Sequence, residues 1–205
     1  MMNKSKEKSS SWKRTITEWA GIGALFAVLY FTGMHTQVIG AMQRAILWTG
    51  LFDAETTAAQ TINGLQLSAA DYQFMMATPE GETVTLSDFK GDVIFINLWA
   101  SWCPPCIAEM PTIETLYSKV ADNEDIHFVM LSMDQKQEKA NNYMNGEDFS
   151  FSHYFPASSL PQTFRSDYLP TTYVISKEGE IVFSHEGLGD YSSPEFRKWL
   201  IELSR

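Results

Sequence analysis

Cys103 and Cys106 are the only two cysteines of the 205-residue chain, and they lie in the run Trp102-Cys103-Pro104-Pro105-Cys106. Two thiols three positions apart can close and reopen a disulfide within one turn, if they stand where a strand gives way to a helix. The flanking sequence has that form. Val93 to Ala100 is a near-continuous apolar, β-branched-rich run, as expected of a strand buried on both faces. Pro104 to Asn123 carries Ile107, Met110, Ile113, Leu116, Tyr117 and Val120 at helical spacing, with Pro111 expected to kink it. At a helix N-terminus, free backbone N–H groups and the helix dipole stabilise a thiolate. Cys103 is therefore expected to be the exposed, attacking sulfur. Cys106, one turn in, is expected to be the more buried thiol that resolves a mixed disulfide. Pro104 and Pro105 remove two amide donors near the sulfurs and stiffen the first turn. Other uses of the pair fit less well. Trp102 and two prolines are poor interior filling for a helix, which argues against inert core cysteines. A structural zinc site needs about four ligands, and the histidines are scattered at 35, 127, 153 and 185.

The elements that would position these thiols can be read outward from them. Tyr72 to Ala77, the turn Thr78-Pro-Glu-Gly81 and Glu82 to Leu86 predict a β-hairpin, and Ser87 to Asp92 a polar loop. Ile126 to Met133 predicts a second buried strand, and Gln135 to Asn145 a polar helix ending near Gly146. Thr171 to Ser176 and Glu180 to Ser184 predict a hairpin through Lys177-Glu178-Gly179. A last helix opens at Ser193 with Pro194 in its first position, and Phe196, Trp199, Leu200 and Leu203 form its apolar face. This order gives an α/β sandwich, a central mixed sheet flanked by helices, with a parallel β-α-β in the middle.

Ahead of that body the composition changes. Residues 1–52 hold six basic and two acidic side chains, a net of +4, whereas residues 53–205 hold nine basic and twenty-three acidic, a net of −14. So acidic a body repels phosphate backbones, and no nucleic-acid partner is expected. Residues 1–15 read as a basic cytoplasmic tail and 16–36 as a transmembrane helix. The uncharged core of that helix, Trp19 to Met34, is 16 residues long and reaches the ~20 needed to span a bilayer only when Ile16, Val38 and Ile39 are added. The basic flank on its N-terminal side orients the body outward. A cleaved signal peptide near Thr32-Gly33-Met34 and a buried helix of the body are the competing readings. Residues 37–69 read as an interfacial helix, with Trp48 and Phe52 at headgroup level, followed by a polar linker from Asp53 to Leu67.

Three separated motifs together resemble the thioredoxin fold and, more narrowly, the membrane-anchored TlpA/ResA-type thiol–disulfide oxidoreductases. They are Leu86-Ser-Asp-Phe-Lys-Gly91; Ile96-Asn-Leu-Trp-Ala-Ser-Trp-Cys-Pro-Pro-Cys106 with Glu109-Met-Pro111; and Leu169-Pro-Thr-Thr-Tyr-Val-Ile175 with Gly179. The resemblance covers about residues 70–205. It implies that Glu109 lies beneath the disulfide and carries the proton of Cys106. Asn97 stands where cytosolic-type thioredoxins have a buried aspartate, so Glu109 would do that work alone. It also implies a cis peptide bond before Pro170, facing the disulfide, with the Leu169 backbone free to bind an extended partner chain. Trp102 is expected on the apolar rim and Trp99 in the core, and Phe164, Tyr168 and Tyr191 are candidates to extend that rim.

The activity expected from this resemblance is extracytoplasmic reduction of disulfides in exported proteins, for example in cytochrome c maturation. Its partners would be disulfide-containing proteins and a membrane dithiol donor that re-reduces it, and no cofactor is called for. The site would lie on the periplasmic side of a single-pass membrane protein. A peroxiredoxin-type peroxidase is disfavoured, because Ile96 and Ala100 occupy the proline and threonine positions of P-x-x-x-T-x-x-C. A metal chaperone or a redox-inert adaptor with a thioredoxin fold is the alternative outside redox catalysis.

Overall fold

The computed structural model describes residues 64–205 and, before them, Trp19 alone. The expected tail, transmembrane helix and interfacial helix fall outside the described residues. Among the described residues no helix is long and apolar enough to cross a membrane.

Residues 64–205 form a mixed eight-stranded sheet. In chain order the elements are β1 (Leu65–Gln66), α1 (Ala69–Tyr72), β2 (Met75–Ala77), β3 (Thr83–Thr85), β4 (Val93–Trp99), α2 (Pro104–Val120) and β5 (Ile126–Ser132). Then follow α3 (Gln137–Asn145), β6 (His153–Pro156), β7 (Thr171–Ile175), β8 (Glu180–Glu186) and α4 (Pro194–Leu203). The strands lie side by side as β1-β8-β7-β4-β5-β6-β2-β3. β4, β5 and β6 are parallel, and β7, β8, β1, β2 and β3 each pair antiparallel with their neighbours.

Period-two alternation along β4 divides the core. Val93, Phe95 and Trp99 face a cluster built with Ile107, Met110 and Ile113 of α2, Tyr143 of α3 and Phe196 of α4. Ile94, Ile96 and Leu98 face the other side, where Tyr72, Met76, Leu86 and Phe164 close the core. The three long helices thus share one face. Right-handed crossovers that step in one direction from β4 to β5 to β6 place both connecting helices on the same side. By the same alternation Asn97, between Phe95 and Trp99, points toward α2.

Three elements differ from the sequence expectation. Residues 65–66, read as linker, pair with β8 and form one edge of the sheet. They are too few to show a period. Tyr72 ends a helical turn rather than starting a strand, because Ser68 and Asp71 form a capping box around that turn. His153–Pro156 forms β6, which extends the parallel side through only two paired residues on β5 and joins it to the β2–β3 hairpin. Its length and its terminal proline hid it. The polar loop after β3 contains a 3₁₀ turn, Leu86–Phe89. The two hairpins fall where the sequence places them, and Gly179 closes the second with φ +83°. A Cβ there would collide with the Tyr72 hydroxyl, so conformation and space both require glycine. α2 continues through Pro111 and stops at Val120, where the Asn123 amide turns back onto the Val120 carbonyl.

Candidate active site

β4 ends at Trp99, and four residues later Cys103 caps α2. The intervening turn is pinned to the neighbouring strand end. Asp134, just beyond β5, accepts from the Ser101 amide (2.8 Å) and hydroxyl (2.8 Å), and the Met133 amide donates to the Trp99 carbonyl (2.7 Å). Cys103 and Cys106 are joined by a disulfide with their Cα atoms 5.3 Å apart. The helix N-terminus offers the Cys103 sulfur few donors. Pro104 and Pro105 have no N–H, and the Cys106 amide alone reaches Cys103 Sγ, at 3.3 Å. One expectation is corrected. Cys103 is only 3% exposed and Cys106 is fully buried. The exposed apolar surface at the tip belongs to Trp102, at 55%.

Above the disulfide runs an apolar cleft lined by Trp102, Cys103, Pro104, Met133, Tyr168 and Leu169. Its far wall is the loop into β7, where the Leu169–Pro170 bond is cis. Side-chain and backbone hydrogen bonds together fix that loop. Thr171 Oγ1 donates to the Tyr168 carbonyl (2.8 Å), Ser166 Oγ donates to Glu186 (2.9 Å), and the Gly187 amide donates to the Pro170 carbonyl (2.8 Å). Of the three aromatics proposed as further rim, Tyr168 is exposed and lines the cleft. Phe164 and Tyr191 are buried, Phe164 against Tyr173 and Tyr191 against Phe95 and Phe196. Trp99 is in the core.

Below the disulfide the surroundings are closed and polar. Glu109 follows Cys103 and Cys106 at the same three-residue interval, so all three lie on the inner side of α2. Its side chain is fully buried. Oε1 accepts from Asn97 Nδ2 at 2.7 Å and Oε2 from the Gly189 amide at 3.1 Å. Burial pushes its pKa up to about 8, against the lowering effect of those two bonds. Asn97 sits directly across from Thr172 in the β4·β7 register, and Nδ2 also donates to Thr172 Oγ1 at 2.9 Å. The Tyr191 hydroxyl donates to the same oxygen at 2.8 Å. Burial holds the Tyr191 phenol well above its ordinary range, so it stays neutral. Gly189 must be glycine, because a Cβ would lie 2.8 Å from the Tyr191 ring. Thr112 closes the space: its hydroxyl donates to the Glu109 carbonyl and accepts from the Tyr191 amide.

The chain's Redoxin match spans residues 59–195, more than half of its length. The chain belongs to the redoxin family. Within it the chain is a thioredoxin-like thiol–disulfide oxidoreductase of the ResA type. It is 27% identical over 132 residues to the thiol-disulfide oxidoreductase ResA of Bacillus thuringiensis subsp. konkukian, covering 64% of this chain and 75% of that protein. It is 30% identical over 125 residues to the thioredoxin-like protein YneN of Bacillus subtilis, covering 60% and 74%. A putative thiol-disulfide oxidoreductase from Bacteroides vulgatus superposes with a TM-score of 0.55 at 32% identity, covering 63% of this chain and 91% of that one.

Around the redoxin dithiol the structure brings together Cys103, Cys106, Trp102, Tyr168 and Leu169 at the cleft, with buried Pro170 next to Leu169 and Glu109 beneath; Phe164 and Tyr191, offered as further rim, lie in the core instead. Sequence reading missed Thr172, Gly189, Thr112 and Asp134. Thr172 could have been found, since it shares strand parity with the inward Val174. Gly189 and Asp134 lie in turns with no period to place them. Among the described residues no group of three or more metal-ligating side chains gathers.

Proposed function

We propose that this redoxin reduces disulfides of exported proteins on the outer side of a membrane, with Cys103 attacking, Cys106 resolving and Glu109 moving the proton. In the reduced protein, the Cys103 thiolate attacks a partner disulfide, forms Cys103–S–S–partner and releases one partner thiolate. Glu109 then takes the proton of Cys106, and the Cys106 thiolate attacks Cys103 Sγ. The Cys103–Cys106 bond forms, and the second partner sulfur leaves with the electron pair. Two electrons pass to the partner, and a membrane dithiol donor restores the dithiol.

The observation that carries the reading is a fully buried carboxyl one helical turn below the disulfide, with its proton affinity raised to about 8. At neutral pH such a group holds its proton in the disulfide form, which is the state left after it has accepted the proton of Cys106. The cleft supports a protein substrate. Among the described residues neither the amide nor the carbonyl of Leu169 has a hydrogen-bond partner, which suits pairing with an extended chain. Trp102 and Tyr168 offer exposed aromatic surface beside it. The outward placement rests on the basic residues before Trp19 and the uncharged run that follows. The reducing direction and a role such as cytochrome c maturation rest on the family resemblance.

The test is trapping. A Cys106→Ala variant leaves Cys103 able to attack and nothing to resolve the product. It is expected to accumulate partner proteins as mixed disulfides that dithiothreitol releases. If no adduct forms while the wild type also fails to reduce insulin with a reductant supplied, protein disulfides are not its substrate.

A further inference from the structure

Asn97 is fully buried, and its two side-chain polar atoms are used unequally. Nδ2 makes both hydrogen bonds, to Glu109 Oε1 and Thr172 Oγ1, and Oδ1 has no partner. Around Glu109 this gives donors to both carboxylate oxygens and no acceptor for a carboxyl proton. That arrangement suits the ionised group. Yet burial keeps the proton on Glu109 at neutral pH in this disulfide form, and a buried O–H without an acceptor is costly. Among the described residues, the one acceptor in this space without a partner belongs to Asn97 itself.

We propose that Asn97 is an amide switch for Glu109, turning over about its Cβ–Cγ bond so that Nδ2 donates to the carboxylate and Oδ1 accepts from the carboxyl. This deepens, and rests on, the reading of Glu109 as the proton carrier. Turning the amide exchanges the positions of Nδ2 and Oδ1. The contacts now made at 2.7 and 2.9 Å then run in the opposite sense, with the Glu109 and Thr172 hydroxyls both donating to Oδ1. The Tyr191 hydroxyl donates to Thr172 Oγ1 in both states. Each orientation makes two bonds and leaves one atom of the amide unused, so the charge on Glu109 decides between them. Leucine at this position can serve neither state, and an ionised aspartate can only accept.

The switch has a consequence for the resolving step. Glu109 takes the proton of Cys106, the amide turns, and the new Glu109 O–H is tied to Oδ1. The proton cannot then fall back on the Cys106 thiolate while that sulfur attacks Cys103 and the partner thiolate departs. The titratable groups facing Glu109 are Cys103 and Cys106 on its own helix and Tyr191 from the segment before α4. β4 and β7 present only the neutral Asn97 and Thr172. Asn97 is thus a positioning residue that acts through Glu109.

The test uses the full-length disulfide form, solubilised in a mild detergent, with ¹³C and ¹⁵N labelling. Between roughly pH 5 and pH 9, which spans the range open to a buried carboxyl, the Asn97 side-chain amide is expected to shift with the same midpoint as the Glu109 carboxyl carbon. Its cross-peak to the Thr172 methyl group is expected above that midpoint and weakened several-fold below it. A cross-peak that stays constant while Glu109 titrates overturns the switch alone. A Glu109 carbon that does not titrate in this range removes the reading of Glu109 and the switch with it. An Asn97→Leu variant loses a charge-assisted bond in the ionised state and a weaker neutral one in the protonated state, so the Glu109 midpoint should rise by the difference, and closure of the mixed disulfide at pH 7 should slow by roughly 3- to 10-fold. An unchanged midpoint and rate contradict the proposal.

Discussion

The two sides of the disulfide are built on opposite principles. Above it, an apolar cleft opens between Trp102 and the Tyr168–Pro170 loop, with more than half the surface of both aromatics in solvent. Below it, Glu109, Asn97, Thr172 and Tyr191 form a closed polar cluster with no exposed atom of consequence. The open side can accept many partner sequences, since backbone pairing and aromatic contact do not read side chains closely. The closed side can hold one proton at a fixed place, because burial raises its cost of ionisation and hydrogen bonds oppose that rise. The attacking sulfur lies between the two and is itself almost covered. A partner must therefore reach it through the cleft.

The sharpest way to break this division is to remove that sulfur. Cys103→Ser should lower insulin reduction by at least ~10³-fold, as loss of a nucleophile does. Substantial residual turnover would mean that Cys106 is reachable from the cleft, and the two sides would not be separate.

The closed side makes a prediction about stability. The Glu109 pKa in the folded disulfide form is about 8 against the 4.5 of an unperturbed glutamate, so the folded state binds the proton more tightly than the unfolded chain. Its contribution is fully present below the unfolded value and is lost as pH rises through the folded one. Urea titrations of the oxidised protein should show stability falling across this window by an amount on the order of 3–5 kcal/mol. Glu109→Gln, neutral throughout, should lack that slope and match the wild type near the acidic end. Parallel pH profiles would place Glu109 in a wetter setting than this pocket.

Gly189 sharpens the comparison at the pocket wall. With a Cβ 2.8 Å from the Tyr191 ring, Gly189→Ala should destabilise by about 1–3 kcal/mol, the usual cost of overpacking. Thermal unfolding of the oxidised form measures it. The smallest effect belongs to the open side. Trp102→Ala should raise KM for a protein disulfide by roughly 3- to 10-fold with little change in kcat, since this rim contributes uniform binding. A selective loss of kcat would instead give Trp102 a part in the chemistry.

Much of the open side was legible in the sequence, because its parts are local: a C-x-x-C run at a strand end, a tryptophan beside it and a proline opening a later strand. The closed side was legible only as Glu109. Its other members come from β4, β7 and the turn after β8, and they meet through strand register and a turn that carries no pattern. Asn97 could be seen as a missing aspartate but not as a partner, because its role depends on Thr172 lying directly across the sheet. Cys103 was expected at an exposed tip. The cleft walls and the disulfide itself cover it, and a helix N-terminus read alone cannot show that. The same limit applied to Tyr191, whose neighbours Phe95 and Phe196 are distant in sequence.

The most direct test of the central claim is the pH dependence of mixed-disulfide closure. A Cys103–partner adduct is prepared, and release of the partner thiol is followed by rapid quench for wild type and Glu109→Gln. Proton transfer to Glu109 predicts a rate near neutral pH ~10²-fold higher in the wild type, and an ionisation in its profile that the variant lacks. Equal rates with parallel profiles would show that Cys106 loses its proton without Glu109.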